Sequence, residues 1–349
     1  MEQITLDISL PTIVDVLSIA TALMLGVLFC TLQSKNRRAN LFLALFLWSL
    51  TFEVFQAFLA GINFKNIEIT VIQTSLATIP LLLLYVKSTL HQKVTFKSLA
   101  LFIPFIFFNL LEIHEEEVKY FEYLFNISLL IYILNLLKKH QSNIVEYYSD
   151  IENKTLQWIK TIVYIFLFFH AFWIIEDIVG FNNDSIVLYF AYTSSILTFF
   201  MIYWIGYNGF TQQEIFTSSV FETVINTREE TTTNTKSNFD NVVAIIKTQK
   251  LYLNSNLNLR FLSENVQIKE RELSKLIKEH TQKNFYHFIN QFRVDEFKKL
   301  VSSPKASQLS LLGLAQEAGF SSKSTFYTAF KNLEGITPKQ YQDQLKKSE

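Results

Sequence analysis

Long apolar runs alternate with short polar breaks over the first two hundred positions. The pattern then changes to brief amphipathic repeats. The runs fall at about residues 9–31, 40–60, 67–88, 97–113, 120–137, 157–178 and 186–206. Most reach the roughly 20 residues a helix needs to cross a hydrocarbon core. The fourth, "KSLALFIPFIFFNLLEI", is shorter and holds Pro104, so six crossings with one interfacial segment is the alternative. The pattern predicts an all-α chain: a seven-helix transmembrane bundle over 1–206, then a C-terminal all-helical domain.

Residues 207–238 read as a connector. Phe216, Val220 and Val224 recur every fourth position, a helical stripe that continues span seven as a rod or dimer seam, or lies on the membrane surface. Gly206 and Gly209 suggest a hinge where the last run ends. "NTREETTTNTKSN", 226–238, is rich in Thr and Asn without an apolar period and reads as a flexible linker. A separate domain is expected over 239–349.

Within that domain one arrangement occurs twice, over about 255–281 and 309–332. Leu259, Leu262 and Val266 line one short helix; after the break "QIK", Leu273, Leu276 and Ile277 line a second. Leu311, Leu314, Ala315 and Ala318 line another helix, followed by Gly319 at a turn and by Phe326 and Phe330 facing inward. Ser321 or Ser322 is placed to cap the last helix. Two short helices across a tight turn form a helix-turn-helix, whose second helix enters the major groove of DNA. The side chains left on the outer faces are Arg271, Ser274, Lys275 and Lys278 in one unit, and Lys323, Ser324, Tyr327, Thr328 and Lys331 in the other. Lys278 and Lys331 suit phosphates, which fix position without reading sequence. Arg271 can grip guanine with two hydrogen bonds or pair with Glu270 or Glu272.

Charge sharpens this division. The whole chain is formally neutral, yet residues 236–349 hold 18 Lys and Arg against 11 Asp and Glu, and residues 1–235 hold 13 against 20. Only the C-terminal part suits a polyanion. Loop charges also set an orientation. Lys35, Arg37, Arg38, Lys87, Lys93, Lys97, Lys138, Lys139, Lys154 and Lys160 fall in alternate loops, against Lys65 and Lys119 in the others. By the excess of basic residues in cytoplasmic loops, the N-terminus lies outside and the C-terminus in the cytoplasm. Glu2 and Asp7 precede the first run without a Lys or Arg, unlike a cleavable signal.

Polar residues cluster toward the outer halves of the runs. Glu53 lies roughly 20 Å along its span from the inner end, and His170 at a similar depth. Gln56 and Glu176 fall on the same side, with Asp15, Gln73 and Asn126. Ionisable groups are costly in hydrocarbon, so Glu53, Gln56, His170 and Glu176 are candidates for a ligand pocket; the bland alternative is hydrogen bonding that pins the bundle. The outer loop "EIHEEEVKY" carries one His and four carboxylates without diagnostic spacing, and reads as a solvated acidic loop. Cys30 stands alone in the chain, which excludes an intrachain disulfide and a cysteine metal cluster. No zinc-protease or phosphate-loop motif occurs, and no cofactor or catalytic site is expected.

Residues 250–342 resemble the DNA-binding domain of AraC/XylS-type transcription regulators. The segment "LAQEAGFSSKSTFYTAFKNLEGITPKQY" carries the likeness through Ala315, Gly319, Phe320, Ser324, Phe326, Phe330, Lys331, Gly335, Thr337, Pro338 and Tyr341. In the first unit, Gln267 stands where the family often has Gly, and Lys269 where it often has a Ser cap. The resemblance implies two recognition helices entering successive major grooves on one face of DNA. It implies base readers at Arg271, Ser274 and Lys275, and at Lys323, Ser324 and Thr328. The expected function is a one-component transcription regulator in a bacterial cytoplasmic membrane. Its partners would be double-stranded DNA, the lipid bilayer, a small ligand or membrane signal, and, through spans or connector, a second copy. The competing classes are a transporter or membrane enzyme with an appended regulator, and spans serving only as an anchor.

Overall fold

The computed structural model describes residues 10–33, 36–61, 72–111, 113, 115–151, 155–179, 184–213 and 235–348. Their regular structure is helical, mostly α with short 3-10 turns, and the isolated antiparallel bridge Tyr148–Asn258 is their only β pairing. The chain divides into two compact units. One comprises 1–137 and 156–219, the other 138–155 and 220–349.

Seven helical segments of the N-terminal unit follow the seven apolar runs: α1 (Leu10–Thr31), α2 (Arg37–Gly61), α3 (Ser75–Thr89), a 3-10 turn (Phe96–Phe102) leading into α4 (Ile103–Leu110), α5 (Glu115–Tyr147), α6 (Gln157–Val179) and α7 (Asp184–Gln213). Four of them, within α1, α2, α5 and α6, are long and apolar enough to cross a membrane. α7 is not among the four, and the third and fourth fall short. α3 has 15 residues with Pro80 inside it, and Pro104 starts an α4 of eight residues, about 12 Å long. A proline suits the first turn of a helix, which is why the 3-10 turn gives way to α4 there.

Ala22, Phe29, Leu43, Phe46, Leu47, Leu82, Ile133, Ile162 and Ile202 belong to the core of this unit. The faces turned away from that core are apolar too. Met24 is 57% exposed, Leu124 73% and Ile178 74%. A helix apolar all round belongs in a large core or in lipid. The expected hinge at Gly206 and Gly209 is not there, because α7 runs unbroken through both. A Cβ on Gly206 would lie 2.9 Å from a methyl of Leu25, and one on Gly209 2.6 Å from the ring of Phe29. These glycines let α1 and α7 approach closely, the use small residues serve where apolar helices pack.

The C-terminal unit has two cores joined by one helix. It contains α8 (Thr235–Thr248), α9 (Leu259–Val266), α10 (Glu270–Thr281), α11 (Phe285–Val301), α12 (Leu311–Glu317), α13 (Lys323–Glu334) and α14 (Pro338–Ser348). α8 begins inside the stretch expected as linker, because Phe239, Val242, Val243 and Ile246 give it an apolar face that packs on the first core. The stripe of Phe216, Val220 and Val224 lies outside the described residues. α11 serves both cores. Phe285, Phe288 and Ile289 enter the first; Val294, Phe297 and Val301 enter the second.

Candidate nucleic-acid interface

Each half of α11 supports a helix pair. In the first pair, the Asn258 side chain caps α9 by accepting from the amide of Phe261 at 2.8 Å. Gln267 ends the helix at φ +55°, the left-handed conformation that glycine normally supplies. The turn therefore forms despite the missing glycine. α10 starts at Lys269 with no side-chain cap, and Glu270 and Glu272 in its first turn complement the helix dipole instead.

The second pair is better fitted. Ser310 caps α12 through the amide of Gly313 at 3.1 Å. Gly319 turns the chain at φ +96°, and a Cβ there would lie 2.4 Å from the carbonyl oxygen of Tyr252. Both the dihedral and the close approach require glycine. Of the two serines offered by the sequence, Ser322 is the cap of α13, accepting from the amide of Thr325 at 3.1 Å. Gly335 closes α13 at φ +74°. Thr337 and Gln340 then exchange hydrogen bonds across the first turn of α14, a capping box with Pro338 in first position.

These supports leave one face of α10 and one of α13 to solvent. Arg271, Lys275 and Lys278 are exposed on α10 and Ser274 is half-buried. Lys275 lies 3.8 Å from Glu279, a contact too exposed to hold it back from another partner. On α13, Lys323, Ser324, Thr328 and Lys331 are exposed, and Tyr327 is half-buried with Lys323 over its ring at 5.7 Å. Phe326 and Phe330 are fully buried beneath them.

A residue that the sequence reading passed over ties this unit together. Arg293 on α11 is fully buried, and all five of its N–H donors are used. Nε donates to the carbonyl of Tyr252 at 2.8 Å; Nη1 to the carbonyl of Ser149 at 3.2 Å and to Asn290 Oδ1 at 3.1 Å; Nη2 to Ser149 Oγ at 2.9 Å and the carbonyl of Asn254 at 2.8 Å. Burial pulls its guanidinium down to about 10, offset in part by the charge of Asp150, so it stays charged at neutral pH. Tyr286 beside it is pushed up to about 12 by burial and by Asp150. The signal for Arg293 was present: it shares the inward face of α11 with Ile289 and Phe297, four positions either side.

The helix-turn-helix domain family matches residues 262–344. Residues 262–344 are an AraC-type helix-turn-helix domain. Uncharacterized HTH-type transcriptional regulators of Staphylococcus aureus, from strains COL and MSSA476, are each 33% identical to this chain over 104 residues. That stretch is 30% of this chain and only 14% of the length of each relative. No solved structure matches the chain.

The residues expected to form a pocket fall in the N-terminal unit, in two groups. Glu53 accepts from the Thr78 hydroxyl at 2.5 Å, and Ser49 lies 2.7 Å from that hydroxyl. Gln56 brackets the start of α3, accepting from the amide of Ile72 at 2.7 Å and donating to its carbonyl at 3.1 Å. The second group lies on α5 and α6. His170 is buried, with Nδ1 2.8 Å from the carbonyl of Phe166 and its ring edge-on to Tyr123. Asp177, next to the half-buried Glu176, accepts from Lys119 at 3.0 Å and Tyr123 at 2.9 Å. α5 belongs to both groups, since Ser75 donates to Glu122, adjacent to Tyr123. One turn further along α5, Asn126 is fully buried with neither side-chain polar atom hydrogen-bonded.

Proposed function

We propose that the chain is a membrane-anchored, one-component transcription regulator. Its AraC-type domain reads DNA in the cytoplasm, and its apolar bundle receives the signal. The observation that carries the reading is the position of residues 138–155. They comprise the end of α5 and the loop that joins it to α6, two helices apolar enough to span a membrane, yet belong to the compact unit that contains the AraC-type domain. That loop and the domain must lie on one side of any bilayer. The basic loop residues put that side in the cytoplasm, with the N-terminus outside. All seven apolar segments count as crossings in this reading, the third and fourth being short ones.

Arg271, Ser274 and Lys275 on α10 and Lys323, Ser324 and Thr328 on α13 are the proposed base-facing residues, with Tyr327 beside them. Lys278 and Lys331 take phosphates. The signal site is assigned to Glu53 and Gln56 on one side of α5 and to His170 and Glu176 on the other. Asn126, one turn along α5 from Glu122 and Tyr123, supports it, because a buried amide without partners is costly unless something fills its valences. A second copy, bound through the spans or connector, would raise the local concentration of binding domains.

Genome-wide mapping of DNA bound by the full chain, with fractionation of the cells, tests this reading. The protein is expected in the membrane fraction and on a defined set of promoters. Exchange of residues 1–137 and 156–213 for unrelated spans is expected to keep DNA binding and lose regulation; retained regulation would reduce the bundle to an anchor.

A further inference from the structure

Residues 147–151 form a short segment of the C-terminal unit that reaches both recognition pairs and the helix joining them. Tyr147 packs on the first core. Tyr148 pairs with Asn258, the cap of α9. Ser149 donates from its amide to the carbonyl of Leu257 at 3.3 Å and from Oγ to the same carbonyl at 2.5 Å. Its own carbonyl accepts from Asn290 at 3.1 Å and from Arg293 at 3.2 Å, both on α11. Asp150 then reaches the second pair. Its carboxylate accepts from Thr325, in the first turn of α13, at 3.0 Å, and from Ser321, just before the cap of that helix. Three consecutive residues thus hold the start of α9, the middle of α11 and the start of α13.

We infer that residues 147–151 are the transmission element of the protein, a strut through which α5 and α6 set the relative placement of the two DNA-reading helices. The inference rests on the proposed reading of α5 and α6 as spans of a signal-receiving bundle. A two-unit reader binds tightly only when both helices meet successive grooves at once, so whatever fixes their separation fixes the affinity. The strut is continuous in sequence with α5, which carries Glu122, Tyr123 and Asn126 of the proposed signal site. The other covalent route from the bundle passes through the Thr- and Asn-rich residues 226–238, the last of which begin α8. Asp150 is the point to probe. It is half-buried, and the five Arg293 donors go to Ser149, Asn290, Tyr252 and Asn254, while the charge of Asp150 helps offset the burial of Arg293.

The experiment uses the full chain in lipid nanodiscs with promoter fragments recovered by the mapping above, and a reporter behind one of those promoters in cells. Asp150→Ala, and Asp150→Asn as a variant that keeps the shape of the side chain, are expected to weaken binding to the intact fragment by roughly fivefold or more. Binding to a fragment with the second half-site scrambled is expected to be unchanged. In cells, Glu53→Gln with His170→Ala is expected to change reporter output in the parent and to change nothing further in the Asp150→Ala background. Unchanged affinity for the intact fragment, in both Asp150 variants, would overturn the strut. Additive effects in cells would overturn its role as the route. A silent Glu53 and His170 pair beside a weakened Asp150 variant would instead remove the signal-site reading and leave the strut standing.

Discussion

The two recognition pairs share one plan and differ in how well their own residues fit it. The second has glycine at its turn, serine at its cap and glycine at the end of α13. The first has Gln267 in a left-handed conformation, Lys269 without a capping bond, and Gln282 ending α10 at φ +56°. A non-glycine residue held there costs about 1–2 kcal/mol of local strain. A missing cap costs about 1 kcal/mol more. The second pair is therefore close to self-sufficient. The first keeps its Asn258 cap but otherwise leans on what surrounds it: α8 across its core and the segment 147–151. The pair whose local signals are weaker is the one with more long-range support.

Substitutions that separate the pairs follow in order of expected effect. Arg293→Ala should be the largest, since it removes five hydrogen bonds to Ser149, Tyr252, Asn254 and Asn290 and the contact of the guanidinium with the Phe320 ring in the second core. A loss of about 3–5 kcal/mol is expected in denaturant unfolding, with both pairs failing together. Survival of one pair would show that α11 does not couple them. Gly319→Ala comes next, because its Cβ would meet backbone at φ +96°. It should destabilise the second pair by about 2–4 kcal/mol, seen as lost amide-exchange protection in α12 and α13 before α9 and α10. Ser322→Ala should cost about 1 kcal/mol, and Lys269→Ser should gain a comparable amount by supplying the first pair with the cap it lacks. Smallest is Gln267→Gly, which relieves the left-handed strain at an exposed site and should raise the melting temperature by a few degrees. No gain there would mean the first turn is not strained.

The pairs also differ in how plainly the sequence announced them. Gly319, Phe320, Phe326 and Phe330 carry fixed chemical roles at fixed spacings, so turn and core of the second pair were legible. In the first pair only the apolar spacing of Leu259, Leu262, Leu273 and Leu276 spoke, and it was enough to place both helices. The apolar runs marked seven helical segments and singled out the fourth, with Pro104, as short; run length did not show that the third holds only a 15-residue helix with Pro80 inside it. Gly206 and Gly209 read as a hinge because glycine is the same letter whether it bends a chain or admits a neighbour; only the position of α1 distinguishes the two. Arg293 was detectable as a charge on an apolar face. Asp150 was not: its partners lie 171 and 175 positions away, and no local pattern distinguishes it from any other loop carboxylate.

The most direct test of the account is a base-resolution footprint of the full chain on a mapped promoter, repeated with Arg271→Ala and with Lys323→Ala. Two protected stretches are expected on one face of the DNA, about one helical turn apart. Arg271→Ala should relax the sequence requirement in one stretch at a cost of about 1–3 kcal/mol, and Lys323→Ala should weaken only the other. A single protected stretch, or both substitutions acting on the same one, would contradict a reader that uses α10 and α13 together.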